Sequence, residues 1–180
     1  MNILITGANG FIGRELVKFF YNNPNNKVIG TSKSKNYLGS EQIKYISADL
    51  GDELYLDKFE EVDELDLIIH TAALIRYDDF DFDTIKSNCI GIMNISKLCL
   101  TKECKKIIYI SSIPIIGTPV RVPVDEMHPT NPKTLYHLTK LFAEQYLKII
   151  ESKGVVSITI RIPSPIGPNM PKNKILTIFV

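Results

Sequence analysis

Tryptophan is absent from this sequence, and cysteine, histidine and net charge are all scarce. Without Trp, and without an aromatic-rich basic stretch, nothing resembles a platform for stacking nucleic-acid bases. A formal net charge of +1 supplies neither a basic footprint for nucleic acid nor an acidic tail. Cys89, Cys99 and Cys104 are odd in number and lack C-x-x-C spacing. That speaks against a disulfide framework or a zinc site and for buried, reduced thiols in a cytoplasmic protein. His70, His128 and His137 share no ligand spacing with carboxylates, so no metal site is expected. No apolar stretch approaches the ~20 residues that cross a bilayer, and Ile3–Ile5 after Met1 is too short for a signal-peptide core.

What is present is an alternation of short β-branched runs with longer amphipathic stretches, the pattern of βαβ units around a parallel sheet. Strands are predicted at Asn2–Thr6, Lys27–Thr31, Ile43–Ser47, Asp66–Thr71, Lys106–Ser111 and Val155–Arg161. Most are continuous apolar runs, as for strands covered on both faces. Helices are predicted at Phe11–Tyr21, Asp52–Glu60, Asp83–Thr101 and Lys133–Ser152, the last with Leu135, Leu138, Phe142, Tyr146 and Ile149 forming its apolar side. The fold class is therefore α/β, a doubly wound parallel sheet of the Rossmann type; strand order 3-2-1-4-5-6 is expected by analogy.

Between the first strand and the first helix lies Thr6-Gly7-Ala8-Asn9-Gly10-Phe11-Ile12-Gly13. Gly7 permits the tight turn, Gly10 lets a pyrophosphate approach the backbone, and Gly13 lets the helix pack closely on the strand. The free N–H groups at the helix start then face phosphate. A purely structural strand–turn–helix is the alternative. Further on, Tyr136 and Lys140 stand four residues apart on one helix and share a face. An ammonium near a phenol favours the phenolate; bringing a tyrosine from ~10 towards neutrality takes roughly 4 kcal/mol. Ser112 ends a strand on the same sheet edge, where ligands bind in open α/β sheets. Tyr and Lys on a helix are by themselves often a solvated face; the order glycine turn, strand-end Ser, then Y-x-x-x-K gives them weight.

Over nearly its whole length the chain resembles the extended short-chain dehydrogenase/reductases, the NAD(P)-dependent nucleotide-sugar epimerase/dehydratase group. The resemblance is carried by the TGxxGxxG form of Thr6–Gly13, by Ala48-Asp49-Leu50, by His70-Thr71-Ala72-Ala73, and by Asn88-Cys89-Ile90-Gly91. Ser111-Ser112 with Gly117, Tyr136 with Lys140, and Arg161 through Gly167-Pro168 complete it. It implies a catalytic set of Ser112, Tyr136 and Lys140. It also implies a cofactor site drawn from Gly7, Asn9, Gly10, Phe11, Ile12, Gly13, Ser32, Lys33, Asp49, Leu50, Thr71, Ala72, Ala73, Asn88, Ser111, Tyr136, Lys140 and Pro163. Tyr136 takes a proton from a sugar hydroxyl, Lys140 also binds the nicotinamide ribose, and Ser112 orients the substrate oxygen. Departures narrow the reading. Ile113 and Pro114 replace the Asp-Glu pair of dehydratases, which removes the usual general acid for dehydration. Ile75 stands where galactose epimerases often carry Lys. Ile116 and Ser164 replace the Tyr and Asn of two other motifs.

The second strand ends without the Asp or Glu that usually meets the adenosine ribose of NAD. Ser32, Lys33 and Lys35 suit a 2′-phosphate, so NADP is preferred over NAD, although the lysines are equally readable as solvated loop charges. Residues 1–161 are expected to form the NAD(P)-binding domain and 162–180 the start of a substrate-binding region that is largely absent. Such a chain should bind cofactor but turn over poorly alone. The leading expectation is an NAD(P)-dependent epimerase or oxidoreductase of a nucleotide-linked sugar, with a ketone or aldehyde reductase as its rival. A non-catalytic dinucleotide-binding sensor or assembly protein is the alternative of another class. Homodimers are expected through the helices Asp83–Thr101 and Lys133–Ser152; nucleic acid and membrane partners are not.

Overall fold

The computed structural model describes residues 1–39, 42–76, 78–167 and Met170. Pro168 and the apolar stretch Lys174–Val180, with most of the expected substrate region, lie outside the described residues. Six parallel strands form one sheet: β1 (Asn2–Thr6), β2 (Lys27–Ser32), β3 (Lys44–Ser47), β4 (Leu67–His70), β5 (Lys106–Ser112) and β6 (Val156–Ile162). Their order is β3-β2-β1-β4-β5-β6, the doubly wound order the sequence suggested, so strands are added outwards in opposite directions from the β1–β4 pair. Register aligns the carboxyl ends: Thr6 lies beside Thr31 and His70, His70 beside Tyr109, and Ser112 beside Ile162.

Side chains alternate across each strand, and the two faces take different partners. Leu4, Ile29, Ile68, Ile107 and Tyr109 pack with Ile92, Ile95 and Leu98 of α3 (Gly91–Thr101) and Ala143, Leu147 and Ile150 of α4 (Leu135–Glu151). Ile3, Ile5, Val28, Leu67 and Ile69 pack with Val17, Leu16 and Phe20 of α1 (Phe11–Tyr21). The central strands are thus apolar throughout because both faces are covered. The edge strand β6 departs from that expectation. Val156, Ile158 and Ile160 are 55%, 42% and 42% exposed, while Ser157 and Arg161 bond to α4. Only one of its faces is covered among the described residues.

Three further expectations change. The helix predicted over Asp52–Glu60 reduces to a 3₁₀ turn at Leu56–Phe59. Four residues suffice to bury Phe59 beneath Tyr55, whose ring lies 4.9 Å away. The single helix predicted over Asp83–Thr101 is α2 (Phe82–Ile85), a π turn at Lys86–Ile90 and then α3. A π turn inserts one residue and rotates the helix beyond it; here it carries Asn88, whose amide is held by distant groups. The apolar side predicted for α4 is not its buried side. Leu138, Phe142 and Ile149 are exposed, whereas Tyr136, Thr139, Lys140, Ala143, Glu144, Leu147 and Ile150 face inwards. Both stripes have helical spacing; the polar one is buried because partners on β5, β6 and the π turn satisfy it. Among the described residues no helix is long and apolar enough to cross a membrane.

Candidate functional site

The glycine turn begins as β1 ends. The Ala8 N–H donates to the Thr31 carbonyl at 3.1 Å, and the Gly10 N–H closes the turn on the Gly7 carbonyl at 2.7 Å. Gly7 has φ +68°, a left-handed conformation that suits glycine. A Cβ on Gly13 would fall on the Gly7 carbonyl itself, so α1 can approach the turn only without one. No side chain caps the start of α1 and no acidic residue lies in its first turn. The positive end of the helix is therefore left for an outside anion. Gly10 is exposed, and Phe11 and Ile12 are half-buried beside it.

The segment after β4 crosses this turn. Thr71 Oγ1 donates to the Thr6 carbonyl at 2.7 Å, and the Ala72 N–H donates to Thr6 Oγ1 at 3.2 Å. The Thr6 hydroxyl is also hydrogen-bonded to His70 Nδ1, 2.8 Å away. His70 is buried and stacks on Tyr109 at 5.6 Å. Burial, and then the nearby Lys140 charge, push its pKa down to about 3. It is a neutral strand-end histidine. Ala73 and Leu74 come next, half-buried.

Tyr136 and Lys140 project from the first turns of α4 towards the end of β5. Thr134 caps the helix, its Oγ1 accepting the His137 N–H at 3.3 Å. Asp79, from the acidic loop before α2, accepts the Leu135 N–H at 3.1 Å. Lys140 is 4% exposed, donates to the Ile110 carbonyl at 2.8 Å, and lies 4.7 Å from the Tyr109 ring centre and 5.9 Å from that of Tyr136. Burial pushes its pKa down to about 7, with Glu144 partly opposing. Among the described residues no carboxylate makes an ion pair with it. Ser112 is half-buried at the tip of β5, before a 3₁₀ turn at Ile113–Ile116. Its neighbour Ser111 points the other way, its hydroxyl 2.5 Å from Glu144 Oε1.

Glu144 was not anticipated, although it repeats the Tyr136–Lys140 interval one turn further along. It is 5% exposed and takes a two-pronged bond from Arg161, Nη2 to Oε2 at 2.7 Å and Nε to Oε1 at 3.1 Å. That pair fixes α4 against β5 and β6. Asn88 fixes it on the other side. Its amide donates to the Leu74 carbonyl at 3.0 Å and to Thr139 Oγ1 at 3.0 Å, and accepts the Leu74 N–H at 2.8 Å. Asn88, expected at the cofactor, thus holds the segment after β4 to α4.

At the end of β2, Ser32 is half-buried, and Lys33 reaches Asp49 in an ion pair of 2.9 Å. Burial opposes ionisation of Asp49, but Lys33 and the Gly51 N–H outweigh it and hold the carboxyl below its ordinary range. Leu50 packs over Gly91. The Asn9 side chain turns to the loop after β2 rather than out over the glycine turn. Pro163 is exposed just past β6, and Gly167 lies against the Phe11 ring. The structure therefore brings the glycine turn, Thr71–Ala73, Ser112, Tyr136 and Lys140 to one sheet edge, with Ser32, Lys33 and Asp49 at its far side.

A doubly wound parallel sheet with a glycine turn at its first crossover defines the class of dinucleotide-binding folds. The chain belongs to the NAD dependent epimerase/dehydratase family, whose profile matches residues 3–180. It is 29% identical over 149 residues to a UDP-glucose 4-epimerase of Halalkalibacterium halodurans, covering 81% of this chain and 45% of that protein. Its fold is similar to that of the UDP-glucose 4-epimerase of Bifidobacterium longum, solved with NAD+ and UDP, with a TM-score of 0.78 and 24% identity over 89% of this chain and 52% of that one. It also resembles the Thermotoga maritima UDP-glucose 4-epimerase solved with UDP-glucose, with a TM-score of 0.81 and 24% identity over 89% and 55% of the two chains. The chain spans about half the length of the curated relatives it matches.

Proposed function

We propose that this chain is the cofactor-binding part of an NAD(P)-dependent epimerase or oxidoreductase of a nucleotide-linked sugar, with Ser112, Tyr136 and Lys140 as its reacting groups. One observation carries the reading: a lysine 4% exposed, with no carboxylate partner among the described residues, held beside a tyrosine on the edge that bears the glycine turn. Burying an ammonium so poorly compensated is costly, and perturbed groups of this kind concentrate at functional sites. The residues fit a dinucleotide. Gly7 and Gly13 let the turn, the segment after β4 and α1 pack closely, Gly10 is exposed at the turn, and the start of α1 offers free N–H groups to a pyrophosphate.

Gly7 to Gly13 would hold the pyrophosphate, Lys140 the nicotinamide ribose, and Ser32, Lys33, Asp49 and Leu50 the adenosine end. A bound nicotinamide supplies the hydride acceptor and donor. Tyr136 Oη takes the proton of a sugar hydroxyl, Ser112 Oγ orients that oxygen, and the Lys140 ammonium lowers the energy of the phenolate. Lys140, with a pKa of about 7, changes charge readily when ribose and phenol approach. NADP is preferred because Lys33, not a carboxylate, follows the last residue of β2. Residues 1–161 form the cofactor domain, 162–180 begin the substrate region, and the location is cytoplasmic.

Titration with NADPH and NADH by nicotinamide fluorescence tests the reading. The expected result is binding of both, tighter for NADPH; binding of neither overturns it. Tyr136→Phe should leave that affinity within about threefold, while any sugar-nucleotide-dependent reduction of the cofactor found with the wild-type chain falls by about 10²-fold or more.

A further inference from the structure

We infer that Asn9 and Tyr45 are positioning residues for the adenosine end of the dinucleotide, clamping the loop after β2 to the glycine turn; the inference rests on the function proposed above. Asn9 Nδ2, with two hydrogens to give, lies 3.0 Å from Ser32 Oγ, 2.9 Å from the Asn36 carbonyl and 3.2 Å from Tyr45 Oη, and Asn9 Oδ1 accepts the Leu38 N–H at 2.8 Å. Tyr45 Oη is 2.6 Å from the Ser34 carbonyl and 2.7 Å from Ser32 Oγ. A phenol has one hydrogen. If it goes to the Ser34 carbonyl, the Ser32 hydroxyl must donate to Tyr45 Oη and accept from Asn9.

A directed chain results, from the Asn9 amide through the Ser32 hydroxyl and the Tyr45 phenol to the Ser34 carbonyl. Strand pairing does not need it, since β2 is already laddered to β1 and β3. What the chain fixes is the backbone from Ser32 to Leu38, the stretch that a 2′-phosphate or ribose hydroxyl would meet. The Ser32 hydrogen is turned inwards, so cation donors there are left to Lys33 and Lys35, both exposed. A loop ordered before binding loses less freedom on binding and so binds more tightly.

The test uses the 180-residue chain with Asn9→Ala and, separately, Tyr45→Phe, which removes one oxygen. NADPH affinity is read by nicotinamide fluorescence and 2′,5′-ADP affinity by competition. Losing these bonds should weaken both ligands about tenfold for Asn9→Ala and about threefold for Tyr45→Phe. The emission maximum of saturated NADPH should stay unchanged, because the nicotinamide end is untouched. Unchanged affinity for 2′,5′-ADP overturns the inference. So does a shifted emission maximum, which would mean that the whole site had loosened. Wild-type chain that binds neither ligand refutes the proposed function itself, and this inference with it; normal wild-type binding with insensitive variants refutes the inference alone.

Discussion

Replacing Lys140 by Met should stabilise the chain, and should do so more at low pH than at high pH. Burial holds the Lys140 pKa at about 7 against an ordinary 10.5. At about 1.4 kcal/mol per tenfold change, the folded chain bears a penalty of roughly 5 kcal/mol wherever the lysine is charged in both states. Between pH 7 and 10.5 the unfolded chain holds the extra proton, so stability rises with pH and the penalty shrinks. It is nearly complete at pH 6, and roughly 2 kcal/mol of it remains at pH 9. Met removes the penalty and also the bond to the Ile110 carbonyl, a loss of about 1 kcal/mol at every pH. The expected gain is therefore about 3–4 kcal/mol at pH 6 and about 1 kcal/mol at pH 9. The assay is urea unfolding monitored by far-UV circular dichroism, since the chain has no Trp to report it. The midpoint gain should differ between the two pH values by about 1–2 M urea. A variant less stable than wild type at pH 6, or one shifted equally at both, would refute the claim that a poorly compensated charge is buried there.

The neighbouring groups give further expected outcomes. His70 is held neutral, with a pKa of about 3, so the unfolded chain alone takes up its proton as pH falls from 6.5 towards 3. Wild type should lose about 2 kcal/mol more than His70→Gln between pH 6.5 and 4.5, and equal losses in urea titrations would contradict this. Glu144→Ala strands the Arg161 guanidinium beside Ser111. It should destabilise the chain by about 3–5 kcal/mol, measurable by the same unfolding assay. The exposed Met93 and Leu100 of α3 and Leu138, Phe142 and Ile149 of α4 would suit the homodimer expected through these helices. Sedimentation equilibrium should show a dimer, and a monomer at all concentrations would exclude it.

Much of the architecture was legible because local and global signals agree. Apolar runs such as Ile3–Ile5 and Ile107–Ile108 have one solution when both faces are covered, and the glycine turn fixes where β1 becomes α1. The Tyr136–Lys140 pair was visible because helical spacing alone puts two side chains four apart on one face. Less legible were features that depend on which distant atoms meet. The buried stripe of α4 contains Lys140 and Glu144, so a reading by hydropathy chose Leu138, Phe142 and Ile149 instead. Asn9 and Asn88 matched motifs that suggest ligand contact, yet their amides hold backbone brought close only by the fold. Tyr45, Asp79 and Glu144 carry no motif at all. Only the second four-residue step, from Lys140 to Glu144, hinted at one of them.

The most direct measurement is a crystal structure of the chain grown with NADPH. The pyrophosphate should lie over Gly10 at the start of α1, the nicotinamide ribose against Lys140 Nζ, and the nicotinamide ring beside Tyr136 and Ser112. A nucleotide bound anywhere else, or Tyr136 turned away from the nicotinamide, would contradict the account.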